Sequence, residues 1–266
     1  MEKVFRKAFL MSGFHGVVRP QFKNSLRRFI QVLDRNDVKC TFPIVAEVAK
    51  RNRDVVKLIL DSSHEIATHG LIHVCFKDLP YERQYSMLKG SVEILEELTE
   101  AEIEGVRVPY APSHDENTFK AILNLGLKYD STLFNPTPTE PKIIIETNGV
   151  RLVEFPCLVT ETSLVDDLKL SPSELFRVWI EKIGRARGGQ FAVVDAHPVR
   201  MGTQRYIRVM EELIRYGREN NFEFLNLMEA YEKFKSGKCR EKIMVLTGDI
   251  DCVSVWDYMR RIWGKA

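Results

Sequence analysis

The C-terminal stretch Lys242-Ile-Met-Val-Leu-Thr-Gly-Asp249-Ile-Asp251 is an apolar run that ends in two carboxylates. Such a run is typical of a β-strand that is buried on both faces. Asp249 and Asp251 are separated by one residue, so their side chains point the same way if the backbone is extended. Whether this strand lies beside an early strand of the chain decides what the two carboxylates can form.

The composition indicates one ordinary folded domain. The chain has 266 residues, of which 44% are hydrophobic and 29% charged, and α/β barrels commonly reach this length as one domain. The formal net charge of +2 gives no sign of a nucleic-acid-binding surface. The five cysteines are odd in number and show no Cys-x-x-Cys spacing, which disfavours a disulfide framework.

The sequence shows neither a signal-peptide core nor an apolar stretch of membrane length. We therefore expect a cytoplasmic protein with no transmembrane segment and no nucleic-acid partner, and assembly into a homo-oligomer is compatible with the sequence.

Short apolar runs alternate with amphipathic helical patterns along the chain. The predicted strands are 41–45, 65–68, 105–108, 152–155, 191–194, 222–225 and 243–247, and the predicted helices are 25–33, 81–98, 171–183, 205–218 and 227–234. The alternation predicts an α/β fold with a mainly parallel sheet, open or closed. Most of the strands are apolar throughout, as in a barrel core beneath a ring of helices. We interpret residues 1–266 as a single domain, with 235–241 as a loop inside it.

A His-x-x-x-His pair, His69 and His73, follows the predicted strand 65–68. The carboxyl ends of parallel strands are where barrels build their active sites. A turn of helix beyond Gly70 would bring His73 to the same side as His69, and two imidazoles at this spacing can bind one cation. Two unrelated histidines would give the same pattern.

Three further motifs stand at predicted strand ends. Arg107-Val-Pro-Tyr110 is either a functional loop or a strand closed by a proline turn. In Asp195-Ala-His197-Pro the histidine is a candidate acid or base, although a backbone carbonyl could also satisfy it. Glu154 could line a pocket or simply cap one.

Read in order, these motifs resemble the polysaccharide deacetylases, the NodB-homology group known as carbohydrate esterase family 4. The resemblance runs from about residue 20 to 235, and it also includes Lys39-Cys-Thr-Phe-Pro-Ile-Val45, Leu125-Gly-Leu-Lys-Tyr-Asp-Ser131 and Asn221-Phe-Glu-Phe-Leu-Asn226. It implies a distorted (β/α)7-type barrel of the NodB-like kind. The implied activity is that of a metal-dependent hydrolase that removes an acetyl or related acyl group from an N-acylated amino sugar.

The opening motif of this family, a strand that ends in an Asp pair, is not at the start of this chain. No carboxylate occurs from Phe9 to Asn24. Either the chain is an inactive relative or the strand has moved. Asp249-Ile-Asp251 looks like that motif in its Asp-x-Asp variant, which implies a natural circular permutation in which 242–266 supply the first strand and the segment after it. The alternative is an unrelated tail whose Asp pair caps a helix starting at Val253.

The resemblance also implies roles for the residues of this site. Asp251, His69 and His73 would bind one divalent metal ion, with zinc as the first choice. Asp249 would be the general base, held ionised by Arg107.

The remaining roles complete the implied reaction. The backbone near Tyr110 would stabilise the oxyanion, and His197 would be the general acid. Its orienting carboxylate stays open among Asp195, Asp166 and Asp167, and Glu154 and Asp195 are further candidate substrate or oxyanion residues. The substrate would be a soluble or lipid-linked amino sugar. The alternatives are hydrolysis of cyclic imides or linear amides, and an inactive carbohydrate-binding protein.

Overall fold

The computed structural model describes residues 19–77, 79–110, 114–147 and 150–263. Its strands are β1 Cys40–Ile44, β2 Glu65–Thr68, β3 Gly105–Val106, β4 Tyr129–Asp130, β5 Lys142–Thr147, β6 Val150–Glu154, β7 Cys157–Thr160, β8 Phe191–Asp195, β9 Phe222–Leu225 and β10 Lys242–Thr247. Its helices are α1 Arg19–Arg35, α2 Ala46–Arg51, α3 Arg53–Asp61, α4 Tyr81–Thr99, α5 Glu116–Asn124, α6 Pro172–Ile183, α7 Pro198–Met201, α8 Ile207–Glu219, α9 Leu227–Lys235 and α10 Val255–Trp263, with a π-helical turn at Ser163–Asp167.

The strands form one curled sheet in the order β5-β6-β4-β3-β2-β1-β10-β8-β7, and β9 pairs with β10 beside this path. Every pairing is parallel except that of β5 with β6. The segment after β4 crosses to the far end of the sheet, where Phe134 bridges to Cys157 and Thr139 to Phe191. The predicted α/β fold with a mainly parallel, barrel-like sheet is confirmed.

Strand β10 lies in the middle of this sheet. It pairs with β1 on one side, where Leu246 is opposite Cys40, and with β8 on the other, where Thr247 is opposite Asp195. Its four apolar side chains, from Ile243 to Leu246, are fully buried. The C-terminal strand therefore lies beside an early strand. This arrangement is required if the carboxylates that follow β10 are to share a site with residues from early strands.

The extended backbone of β10 continues past the end of the strand. The N–H of Gly248 donates to the carbonyl of Thr41, the N–H of Ile250 donates to the carbonyl of Pro43, and Val45 donates back to Ile250. This ladder keeps residues 248–250 alongside β1. Asp249 and Asp251 thus stand on one face of an extended segment at the carboxyl end of the sheet.

Two apolar layers hold the fold together. The larger lies between the sheet and the surrounding helices, and it includes Phe29, Phe42, Leu88, Trp179 and Leu213. The smaller fills the inside of the curled sheet with side chains from six strands and from α9, among them Tyr129, Phe155, Val193, Leu227 and Val245. Strands that face both layers are apolar on both sides, which explains why β8 and β10 read as continuous apolar runs.

Three strands and several helices were not predicted. Strand β4 has only two residues, and β5 is an antiparallel edge strand with charged and polar ends, Lys142 and Thr147. Strand β7 follows directly after Pro156. Such segments are too short or too polar to show a strand period. By contrast, the helix predicted over 171–183 is present, and it begins with a capping box in which the hydroxyl of Ser171 accepts from the N–H of Glu174.

No helix in the described ranges combines the length and the apolar character needed to cross a membrane. The segment 235–241, predicted as a loop inside the domain, connects α9 with β10. The inferred circular permutation places Ala266 directly before Met1 in the order of the family, and both residues lie outside the described ranges.

Candidate active site

The predicted site residues meet at one edge of the sheet. His69 follows β2, Arg107 follows β3, His197 follows β8, and Asp249 and Asp251 follow β10. These strands are parallel neighbours, so their carboxyl ends open at the same edge. All of these side chains except His197 and Asp251, which are partly exposed, are buried.

His69, His73 and Asp251 form a cluster with the geometry of a metal site. Nε2 of His69 lies 3.3 Å from Oδ1 of Asp251, and Nε2 of His73 lies 3.3 Å from Oδ2. A tetrahedral ion with bonds of about 2.0–2.1 Å holds its donor atoms about 3.3 Å apart. Two imidazoles and one carboxylate are also a usual donor set for zinc with an open position. The residues present therefore fit a single divalent ion.

The second nitrogen of His69 is held by the backbone. Nδ1 lies 2.7 Å from the carbonyl oxygen of Arg107, so the ring donates there and Nε2 is turned toward Asp251. Burial disfavours ionisation of Asp251, but the charge of His73 and hydrogen bonds from both imidazoles hold the pKa of its carboxyl well below the usual range. A carboxylate and an oriented imidazole are the states that bind a metal.

The predicted turn of helix after Gly70 is wrong. Gly70 has a φ of +79°, which ends the strand in the left-handed region, and residues 71–73 form a bend in which Val74 donates to Ile72. This tight bend brings His73 back toward His69, with ring centroids 5.1 Å apart. The two rings are therefore brought together by a glycine turn rather than by a helical spacing.

Arg107 contacts the carboxylates of Asp249 and Asp195. Its Nη1 donates to Oδ1 of Asp249 at 2.8 Å and to Oγ1 of Thr247 at 2.7 Å, and it lies 3.4 Å from Oδ1 of Asp195. Burial opposes the charge of the guanidinium, but Asp249 and Asp195 outweigh this effect and raise the pKa of Arg107. Arg107 is thus a fixed positive charge among buried acids.

Asp249 stands between Arg107 and the metal-site cluster. Its Oδ1 accepts from Arg107, and its Oδ2 lies 3.9 Å from Nε2 of His69. Asp249 therefore faces the cluster but lies farther from His69 than Asp251 does. A carboxylate in this position can accept a proton from a water at the centre of the site.

His197 is held by a carboxylate that the sequence reading missed. Nδ1 lies 3.0 Å from Oε1 of Glu161 and 3.6 Å from Oδ2 of Asp195, and the N–H of His197 donates to Glu161 at 3.2 Å. Of the predicted orienting residues, Asp195 is therefore within reach, whereas Asp166 pairs with Arg200 at 2.7 Å. Asp167 lies at the end of the π-helical turn.

A signal for Glu161 was present in the sequence. It follows the short apolar run of β7 and so stands at a strand end, like the other site residues. Burial lowers the pKa of His197, but the charges of Asp195 and Glu161 outweigh this effect and raise it well above its ordinary value. The two carboxylates therefore favour the protonated form of His197.

Tyr110 borders the site in a strained conformation. Its φ is +60°, which is rare for a bulky residue, and its side chain is exposed. The ring packs edge-on against His73, with centroids 4.5 Å apart. Backbone strain of this kind is a frequent feature of functional loops.

Glu154 does not reach the surface of the site. It is fully buried, and its Oε1 accepts from the N–H of Leu133 at 2.9 Å. This position suits support of the site from behind better than contact with a substrate. Asp195, also a predicted substrate or oxyanion residue, lies between Arg107 and His197 and is 5% exposed.

Comparisons with known proteins agree with this architecture. Residues 18–129 match the family model "Polysaccharide deacetylase". A protein from Mycobacterium smegmatis described as a polysaccharide deacetylase aligns with a TM-score of 0.69 at 22% identity, covering 82% of this chain and 79% of the other. A second protein described in this way, from Pseudomonas aeruginosa PAO1, aligns with a TM-score of 0.64 at 18% identity. The alignment covers 73% of this chain and 67% of the other.

A third solved structure, an allantoinase, has a TM-score of 0.63 at 17% identity and covers 73% of this chain and 66% of that one. A search of curated proteins gave no match. The predicted NodB-like fold is confirmed by these neighbours.

Proposed function

We propose that this chain is a member of the polysaccharide deacetylase family and an active metal-dependent hydrolase that removes an acetyl or related acyl group from an N-acylated amino sugar. The observation that carries the proposal is the convergence of a three-ligand cluster, an Asp held by an arginine, and a His held by two carboxylates at one strand edge. An inactive relative would have no need to keep all three.

The ligands would be His69, His73 and Asp251, and the ion would be zinc. When bound, the ion would polarise the scissile carbonyl and lower the pKa of a water molecule toward about 7. The three ligands leave a fourth position open, which is the pattern of a catalytic rather than a structural zinc.

Asp249 would take the proton from the attacking water as general base. Its contact with Arg107 at 2.8 Å fixes the direction of the carboxylate. The backbone N–H at Tyr110, on the loop that borders His73, would stabilise the negative charge that develops on the carbonyl oxygen.

His197 would give its proton to the leaving nitrogen as the carbon–nitrogen bond breaks, releasing a free amine and a carboxylate. Its raised pKa supports this role, because the acid must be protonated at working pH. Glu161 and Asp195 would be positioning residues that hold this protonated imidazole.

Glu161→Gln is expected to shift the alkaline limb of the pH profile of kcat/KM to lower pH. The acid is active below the pKa of His197 and lost as pH rises through it. Removing the charge of Glu161 lowers that pKa. The rate measured across pH tests this, with Asp166→Asn as the matched control, since Asp166 pairs with Arg200 instead. An unmoved alkaline limb in Glu161→Gln would contradict the assigned role.

The substrate test is a screen of the zinc-loaded protein against N-acetylated sugars, sugar nucleotides, linear amides and cyclic imides. Release of acetate from an amino sugar is the expected result. The allantoinase neighbour favours cyclic imides or other amides as the second candidate. A protein that neither binds zinc nor hydrolyses any of these would be an inactive carbohydrate-binding relative, and the proposal would fail.

We also propose that 242–266 are the opening strand of the family, moved to the C-terminus by circular permutation within one domain. The central place of β10 between β1 and β8 supports this. A rearranged chain, with 238–266 joined through a flexible linker to the front of residue 1, is expected to fold and bind zinc like the native chain, since buried contacts do not depend on where the chain is cut. Circular dichroism and zinc content would test it, and an unfolded rearranged chain would contradict it.

A further inference from the structure

Asp130 and Glu154 form a buried carboxyl pair that the proposed reaction does not use. They are opposite each other in the parallel pairing of β4 with β6, and both side chains are fully buried. The two carboxyl groups lie within hydrogen-bonding reach of each other. Within the described residues, Oδ2 of Asp130 and Oε2 of Glu154 meet no N–H or O–H donor. Two carboxyl groups can bond in this way only if a proton lies between them.

The outer oxygens of the pair are already satisfied. Oδ1 of Asp130 accepts from the hydroxyl of Thr132, and Oε1 of Glu154 accepts from the N–H of Leu133 at 2.9 Å. Thr132 has then used its only hydrogen, so its oxygen is free to accept the N–H of Val108 at 2.9 Å. The pair therefore fixes the direction of a hydrogen-bond chain that ends on the backbone of Val108.

This chain of hydrogen bonds ends on the backbone segment that carries Arg107 and Tyr110. Val108 lies between them. Ser131, between Asp130 and Thr132, holds the guanidinium from the same side: Nε of Arg107 donates to its carbonyl at 2.7 Å, and Nη2 donates to its hydroxyl at 2.9 Å. The carboxyl pair thus supports both the side chain that orients Asp249 and the backbone of the proposed oxyanion loop.

The charges around the pair are few. Arg107 faces Glu154, and His114, whose segment precedes α5, faces Asp130. The neighbouring Tyr129 points away, with its hydroxyl on Glu65. Burial raises the pKa of both carboxyls above their ordinary values despite the two basic groups. Two ionised carboxylates side by side would be costly in such a place.

We propose that Asp130 and Glu154 share one proton and act as positioning residues for Arg107 and the Tyr110 loop. Loss of the proton would set two buried negative charges against each other and force the two side chains apart, and Thr132, which donates to Asp130, would move with them and loosen its contact with Val108. The effect on catalysis rests on the proposed function, whereas the shared proton does not.

Infrared spectroscopy of the zinc-loaded full chain tests the proton directly. The native protein is expected to show the carbonyl band of a protonated carboxylic acid at neutral pH. Glu154→Gln is expected to lose that band, because the amide donates to Asp130 and leaves it a carboxylate. Glu65→Gln, which replaces a buried carboxyl that already has three donors, serves as the control and should keep it. A native spectrum that Glu154→Gln does not change would overturn the proposal.

Kinetics test the positioning role. Glu154→Ala leaves the buried Asp130 without its partner carboxyl, and we expect it to lower kcat about tenfold more than Glu154→Gln does, with zinc content retained. Glu154→Gln is also expected to extend the profile of kcat to higher pH relative to the native chain, because the amide cannot lose the shared proton. Equal losses in the two variants would overturn the positioning role. If the native chain hydrolyses nothing, the proposed function fails and the infrared result still decides the shared proton.

Discussion

Asp249→Asn is expected to lower kcat by about a thousandfold while zinc binding is retained. Asparagine keeps the size of the side chain and can still contact Arg107, but it cannot take a proton from water. Asp249 is 3.9 Å from His69 and is not one of the clustered ligand atoms, so its charge is not needed to complete the metal site. Steady-state rates and metal analysis of the same preparation measure both effects.

Asp251→Ala provides the contrasting variant. It removes the carboxylate that faces both imidazoles at 3.3 Å, so we expect zinc and activity to be lost together. The two aspartates are therefore separable by experiment. Zinc loss in Asp249→Asn, or full activity in that variant, would show that the two roles have been assigned to the wrong residues.

A chain that ends at Glu241 is expected not to fold. The four fully buried apolar side chains of β10 alone correspond to about 6–12 kcal/mol of transfer free energy. That is comparable with the whole stability of a typical domain, about 5–15 kcal/mol. Truncation would also leave β1 and β8 without their shared neighbour. Circular dichroism, thermal unfolding and gel filtration would show the loss.

The truncation also separates the two interpretations of the C-terminal segment. An unrelated tail could be removed with little effect on thermal unfolding. A cooperative transition near the native temperature in the shortened chain would therefore contradict the assignment of 242–266 to the domain. Adding the missing segment back as a peptide tests whether the gap in the sheet can be refilled.

The parts of the fold that sequence alone predicted are those with strong local signals. The bounds of β8, β10 and α6 were predicted to within two residues, because the two strands are continuous apolar runs and the helix has a clear start at Ser171. Strand β4 was missed because two residues carry no period, and its existence depends on neighbours distant in sequence. Pairing with a strand that is distant in sequence leaves no pattern in the local amino-acid sequence.

The site shows the same limits. His69, Arg107 and His197 were found because each follows a strand. The wrong detail was the local path to His73, which depends on the left-handed Gly70 rather than on helical spacing. Glu161 was missed because β7 is short and follows a proline, and only the folded chain brings this carboxylate to His197.

The place of β10 between β1 and β8 also determines when the proposed site can form during synthesis of the chain. Asp251 is made 178 residues after His73. At about 5–20 residues per second, roughly 10–35 s separate them on the ribosome. Through that interval the nascent chain has both histidines but lacks the strand between β1 and β8. We therefore expect the proposed metal site to form only after Asp251 has been synthesised, and a product terminated before Asp251 to lack the third proposed ligand.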